Sequence, residues 1–224
     1  MPLGVPKVPF HLPGDDDENW VDLYNRLYKK RMLFLTQEVN SEVANQLASL
    51  FIYLNMEEST KDFDLFINSP GGWILPGMTI YNSMTLVDSN VRTICTGLAA
   101  SMASFILAAG ASSKRLAFPH ARVMMHQPHG RFSDVVDDDK DDKKDDKKDN
   151  KKDDDNHNKD DSARELFVEM EELTAIQENI VKIYAAKTGQ PRETILADLE
   201  RDSFMSATEA QAHGIVDFIG RWES

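Results

Sequence analysis

Three stretches of the sequence contain residues whose chemistry suits acyl transfer. Ser101 lies where a β-rich run turns into an apolar helix, and unrelated hydrolases present a nucleophilic serine on such a strand-to-helix turn. Serine is also a common N-cap residue, so helix capping remains open at this point. His126 follows the apolar run RVMM and precedes a proline two residues later, a position that fits either a general base or a satisfied buried histidine.

A serine nucleophile needs a base for its proton, a group that orients this base, and donors for the oxyanion. Ser101 and His126 can supply the first pair. Gly71 and Gly72, in the SPGG stretch, can adopt positive φ and bring backbone N–H groups close to a ligand, although an ordinary turn is the alternative. Asp202 lies in a predicted break between two helices and can orient the base, although a surface aspartate fits equally well.

Short apolar strands alternate with amphipathic helices along the chain, which predicts an α/β fold with largely parallel strands. In such a fold, binding and catalytic residues lie at the carboxyl ends of the strands, and each candidate residue except Asp202 follows a predicted strand. Gly97 is expected to end its strand. The predicted strands are 32–36, 64–68, 91–95, 116–118, 122–125 and 215–219; the predicted helices are 20–31, 41–54, 75–86, 101–109, 162–187, 192–201 and one from a capping box at Ser206 to Gly214.

The charge of the chain is concentrated in one low-complexity segment, residues 134–161. This segment holds 14 Asp and 8 Lys and accounts for six of the 13 net negative charges. It has almost nothing apolar to bury, so we expect it to be a disordered insertion. Residues 1–19 are expected to form an N-terminal arm, and 20–133 with 162–224 a single domain. An acidic chain without a basic stripe argues against a nucleic-acid partner.

Cysteine usage and hydropathy restrict the class of protein further. The single cysteine, Cys95, excludes an intrachain disulfide and weakly indicates a reducing compartment. The Pro-punctuated N-terminus does not resemble a secretory signal. No segment reaches the roughly 20 apolar residues that span a bilayer, so no membrane association is expected.

Four motifs together carry a family resemblance. In chain order they are INSPGG (67–72), GLAASMAS (97–104), MMHQP (124–128) and ERDSFMSATEAQAHGIVD (200–217). The chain resembles the proteolytic subunits of the Clp protease family, and its N-terminal MPLGVPKVPF looks most like the plastid-encoded form of plants and algae. The resemblance implies the ClpP/crotonase-like spiral of βα units with a protruding handle, which the helix 162–187 would supply.

The resemblance also implies roles for individual residues. Ser101 stands at the family's nucleophile, His126 at its general base and Asp202 at the orienting acid. The backbone N–H groups of Gly72 and Met102 stand at its oxyanion hole. No metal and no bound cofactor are implied.

Assembly, partners and compartment follow from the same resemblance. Family members form two stacked seven-membered rings with other Clp proteolytic subunits, and an AAA+ Clp ATPase chaperone feeds them unfolded proteins for quality control. The chloroplast stroma is the expected compartment, and a bacterial-type cytoplasm is the alternative. A catalytically weak or structural ring subunit is an alternative function. A crotonase-type acyl-CoA enzyme is disfavoured, because such enzymes lack a Ser-His-Asp set.

Overall fold

The computed structural model describes residues 4–10, 19–127 and 157–220. Strands and helices alternate through most of this part of the chain, as the sequence predicts. The strands are β1 Lys7–Phe10, β2 Asn19–Asp22, β3 Met32–Leu35, β4 Phe63–Ser69, β5 Val91–Ala100, β6 Arg115–Ala117, β7 Arg122–Met125, β8 Ser203–Ser206 and β9 Phe218–Ile219; the helices are α1 Leu23–Lys29, α2 Ser41–Glu57, α3 Ile74–Leu86, α4 Met102–Ala109, α5 His157–Thr188, α6 Arg192–Glu200 and α7 Ala207–His213.

One seven-stranded sheet organises the fold. Its main path runs β3-β4-β5-β6-β9, and all of these neighbours are parallel. Strand β5 is ten residues long and pairs with β6 through its first half and with β7 through its second half. Strand β8 then adds to β7 in the antiparallel direction. The predicted α/β fold class is confirmed.

Helix α4 lies at the centre of the hydrophobic core. All eight of its residues are buried, as expected for a helix without a polar face. Its Phe105 ring contacts the rings of Tyr81 on α3 and Tyr184 on α5, with centroid separations of 5.2 and 5.5 Å. The helix that begins directly after Ser101 is therefore held by packing on several sides.

The prediction that Gly97 ends the β5 strand is wrong. The strand continues to Ala100, because the side chain of Asn68 takes over part of the pairing where the β4–β5 register shifts. Asn68 Oδ1 accepts a hydrogen bond from Leu98 N–H at 3.0 Å. A Cβ at position 97 would lie 2.6 Å from this oxygen, so glycine here permits a close approach and does not break the strand.

Several further boundaries differ from the sequence predictions; the last strand, for example, covers Phe218–Ile219 and not 215–219. Trp20 lies in β2, where it pairs with Pro9, and helix α1 begins only at Leu23. Asp202 lies between helix α6 and strand β8, not between two helices. The strand β8 was missed because four residues after a helix carry too little alternation to identify a strand.

The predicted insertion falls mostly outside the described residues. The gap covers 128–156, and helix α5 begins at His157, five residues before the predicted start at Ser162. The division of the chain into an arm, a domain and an insertion stays a prediction. Within the described residues, no helix is long and apolar enough to cross a membrane.

Candidate active site

Ser101 occupies a strained turn between β5 and α4. Its φ of 54° and ψ of −126° are unusual for a residue with a Cβ, and such backbone strain clusters at functional sites. The residue holds the N-cap position, yet its side chain makes no capping hydrogen bond, and only 8% of its surface is exposed. The interpretation of Ser101 as a simple helix cap is therefore wrong.

The SPGG loop packs directly against this turn. A Cβ on Gly71 would lie 2.6 Å from Ser101 Cβ and 3.1 Å from the backbone nitrogen of Met102, so only glycine fits without displacement. Gly71 also has a φ of +91°. Ser69, fully buried, fixes the loop, since its hydroxyl donates to the carbonyl of Gln37 at 2.6 Å and accepts from Gly71 N–H at 3.1 Å.

The predicted oxyanion-hole donors are the backbone N–H groups of Gly72, in the SPGG loop, and of Met102, directly after Ser101. Gly72 forms a parallel bridge with Val39, but the N–H donors of that bridge belong to Val39 and Trp73. Met102 is the first residue of α4, where N–H groups have no partner within the helix and the helix dipole favours negative charge. Both groups are thus suited to donate to an oxyanion.

His126 reaches the same edge of the sheet through β7. The β5–β7 register pairs Ala100 with Met124, and Ser101 N–H donates to the carbonyl of Met124 at 2.9 Å. His126 follows two residues later, just past the end of β7. The structure thus brings Ser101 and His126 to neighbouring strand ends.

The ring of His126 has a defined neighbour. Its Nδ1 lies 2.6 Å from the carbonyl oxygen of Gln127, a contact that is favourable only if Nδ1 carries the proton. Nε2 is then the nitrogen that can accept a proton, as a general base requires. The Gln127 carbonyl oxygen therefore accepts the Nδ1–H hydrogen bond that an orienting carboxylate would otherwise accept.

Asp202 and His126 both lie at one end of the β7–β8 ladder. The antiparallel ladder ends with the pair Met125–Ser203, and His126 follows the first of these residues while Asp202 precedes the second. Asp202 adopts φ +51° in a turn and is exposed. The backbone therefore brings Asp202 to the site, while its carboxylate stays at the protein surface.

A buried hydrogen-bond chain connects the Ser101 turn to helix α5. Tyr184 and Ser104 share a hydrogen bond of 2.7 Å, and Ser104 Oγ donates to the carbonyl of Ser101 at 2.7 Å. Burial raises the pKa of Tyr184, so the phenol stays protonated. These supports cannot be recognised in the sequence, because Ser104 looks like one more residue of an apolar helix and Tyr184 is 83 positions away from Ser101.

Other nucleophile or metal chemistry finds little support in this part of the chain. Burial raises the pKa of the Cys95 thiol to about 12, so it is not a reactive thiolate at neutral pH. Among the residues whose side chains the structure describes, no group of three or more His, Cys, Asp or Glu is arranged to hold a metal ion.

Comparison with known proteins tests the family assignment. The Clp protease family model matches residues 15–150 and 156–222. Similar relatives carry the name ATP-dependent Clp protease proteolytic subunit: those of Lactuca sativa and Spinacia oleracea are 51% identical and that of Vitis vinifera 52%, each over 98% of both chains. The predicted resemblance and the predicted enzyme class, a peptidase of the Clp type, are confirmed, and the plant relatives suggest a plastid origin. The chain belongs to the Clp protease family.

Proposed function

We propose that the chain is a serine endopeptidase subunit that cleaves unfolded polypeptides with Ser101, His126 and Asp202. One observation carries the proposal: three sequence-distant residues lie at the ends of the adjacent strands β5, β7 and β8, next to the first N–H groups of α4. The strained turn at Ser101, whose hydroxyl caps nothing, supports the same conclusion.

The proposed reaction uses each group for one step. Ser101 Oγ attacks the peptide carbonyl carbon while its proton passes to His126 Nε2. The carbonyl oxygen becomes an oxyanion and accepts hydrogen bonds from the N–H groups of Gly72 and Met102. His126 then donates its proton to the leaving amine, and a water molecule activated by His126 hydrolyses the acyl-enzyme. Asp202 orients the imidazole and stabilises its charged form.

The proposed setting is a closed chamber of two stacked seven-membered rings in the chloroplast stroma. The names of the relatives describe them as proteolytic subunits of an ATP-dependent protease, and this chain contains no G-x-x-x-x-G-K-[ST] motif of its own. We therefore propose an AAA+ Clp ATPase as a partner that unfolds substrates, with no metal or cofactor bound to this chain. A stable folded protein should be degraded only when the ATPase and ATP are added. Degradation by the chain alone would contradict this setting.

Replacement of Ser101 tests the nucleophile. Ser101→Ala should abolish peptide cleavage and fluorophosphonate labelling while assembly, measured as particle mass in solution, stays intact. His126→Ala should be comparably severe, because triad members act as a unit. Ser112→Ala provides a control, since it removes a hydroxyl from an exposed serine in the turn after α4 and should retain labelling. Turnover that survives in both Ser101→Ala and His126→Ala would refute the assignment.

The contact of His126 with Gln127 favours a second candidate, a ring subunit with weak activity of its own. If the Gln127 carbonyl holds the imidazole in place of Asp202, the charged imidazole gains no carboxylate partner and proton transfer is slower. Fluorophosphonate labelling of the assembled particle separates the candidates. Labelling of Ser101 within the time that a control serine protease needs supports the peptidase, and labelling orders of magnitude slower supports the weak subunit.

A further inference from the structure

The carboxylate of Asp198 on α6 joins two other elements close to the proposed site. Its Oδ2 lies 2.7 Å from His213 Nε2 at the end of α7, and its Oδ1 accepts a longer hydrogen bond, 3.4 Å, from Ser203 Oγ at the start of β8. The side chains of Asp198 and His213 are mostly shielded, with exposures of 24% and 12%. We call these three residues the Asp198 cluster.

His213 is held in one orientation by this carboxylate. A ring nitrogen 2.7 Å from a carboxylate oxygen must carry a proton, so Nε2–H donates to Asp198. Nδ1 is buried, and no described residue supplies a partner for it. A buried polar atom without a partner is costly, and its retention calls for an explanation. Stability alone is a poor explanation, because an apolar side chain would fill the same volume without that cost.

The Asp198 cluster encloses the turn that carries Asp202. Only three residues separate Asp198 from Asp202, and Ser203 follows it directly. The turn is also fixed from the side of His126, because Gln127 N–H donates to the carbonyl of Leu199 at 2.8 Å. Asp202 itself holds a left-handed φ of +51°, which a residue with a Cβ keeps only when its surroundings impose it.

We propose that Asp198 and His213 are positioning residues that hold the Asp202 turn against His126. The hydrogen bond between Asp198 and His213 ties α6 to α7, and the Ser203 hydroxyl ties the first residue of β8 to the same carboxylate. Movement of α6 away from α7 would shift the backbone of Asp202 relative to His126 while leaving Ser101 and the SPGG loop in place. The inference rests on the proposed function, because it assigns a purpose to the position of Asp202.

Paired substitutions at His213 separate a positioning role from a general structural one. His213→Gln keeps an N–H donor for Asp198, and His213→Leu removes it. Fluorophosphonate labelling at completion counts the competent sites, so kcat can be expressed per competent site. We expect His213→Leu and Asp198→Asn to lower kcat per site by about tenfold, less than the 10²-fold that a displacement of ~1 Å can cause. KM should stay within about twofold, because neither residue reaches the Ser101 turn, and His213→Gln should restore most of kcat.

Glu193→Gln on the first turn of α6 is the matched carboxylate control and should leave kcat per site unchanged, since Glu193 is exposed. A merely structural role predicts fewer labelled sites and a lower Tm, with normal kcat for each remaining site; that result overturns the inference. Wild-type kcat in His213→Leu overturns it as well. Retained turnover in Ser101→Ala would instead overturn the proposed function, so the two failures are distinguishable.

Discussion

Gly71→Ala is the sharpest test of how the SPGG loop supports the nucleophile turn. The new Cβ would lie 2.4 Å from the carbonyl oxygen of Ala100, whereas ordinary contact begins at 3.4 Å, so the backbone on one side must move by about 1 Å. The atoms in the way belong to Ala100, Ser101 and Met102 and are not flexible side-chain ends. Relief of the contact must therefore displace the nucleophile, an oxyanion donor or both.

The size of the effect follows from that displacement. A misplacement of ~1 Å can cost on the order of 10²-fold in rate, which corresponds to about 2.7 kcal/mol of transition-state stabilisation. The left-handed φ of +91° adds a separate cost to folding, roughly 1–2 kcal/mol for a residue with a Cβ. We expect kcat/KM of Gly71→Ala to fall by about 100-fold and Tm to fall by roughly 2–8 °C.

Gly189→Ala separates the two contributions. Gly189 has a similar φ of +75°, but a Cβ there meets no atom within 4 Å. This variant should lose a comparable Tm and keep wild-type kcat/KM in a fluorogenic peptide assay normalised to labelled sites. If Gly71→Ala behaves as Gly189→Ala does, with reduced Tm and activity within twofold of wild type, then the SPGG loop does not position the site and the reasoning fails.

Three further predictions concern stability and the insertion. Burial acts to raise the pKa of Asp217, but hydrogen bonds from Arg115 outweigh burial and lower this pKa. The Asp217–Arg115 pair therefore stabilises the folded state fully at a pH above ~3.9, the pKa of an aspartate in the unfolded chain. This stabilisation is lost as the pH falls through the lower pKa of Asp217 in the folded state. Asp217→Asn should cost about 3 kcal/mol at neutral pH, and its Tm deficit should shrink below pH ~4; a pH-independent deficit contradicts this. Tyr184→Phe should destabilise by about 1 kcal/mol in denaturant unfolding, because Ser104 keeps its bond to the Ser101 carbonyl; an unchanged midpoint would contradict it. Deletion of 137–156 should leave peptide hydrolysis per labelled site within about twofold, since loop length changes closure cost by only ~0.6 kcal/mol per doubling; collapse of activity would show that the segment takes part in function.

The elements that sequence predicts well are those with a strong local pattern. Hydrophobicity and cap chemistry alone predict helix α4 and the capping box at Ser206, and Gly214 ends its helix as expected. The structure adds that Gly214 does so in the left-handed conformation. The sequence does not predict the end of β5 correctly, because this end depends on Asn68, a side chain from a neighbouring strand. Helix and strand patterns report local preference, whereas strand ends are decided by the pairing partner.

The residues of the candidate site likewise differ in whether a local sequence pattern reveals them. Ser101 and His126 could be found because each follows an apolar run, and Asp202 was identified through family resemblance, since its own surroundings in the sequence suggest only a surface turn. The supports Ser69, Tyr184 and the Asp198 cluster could not be found, because a hydroxyl or a histidine shows no sign in the sequence of the distant atom it contacts. Motifs reveal groups that react, and three-dimensional contacts reveal groups that hold them.

Strand β5 explains why this site can be assembled from such distant segments. Its first half pairs with β6 and its second half pairs with β7. Ser101, at the end of β5, therefore lies beside β7 and not beside β6. Strand β8 pairs with β7 in the antiparallel direction, so Asp202, which precedes β8, lies at the same end of the ladder as His126. A slip of one residue in either ladder would turn the following side chain to the other face of the sheet. The proposed chemistry therefore depends on two strand registers, β5–β7 and β7–β8. The contact of Asn68 with the second half of β5 and the contacts of the Asp198 cluster with the start of β8 lie beside these ladders, so they support the proposed site as its reactive groups do.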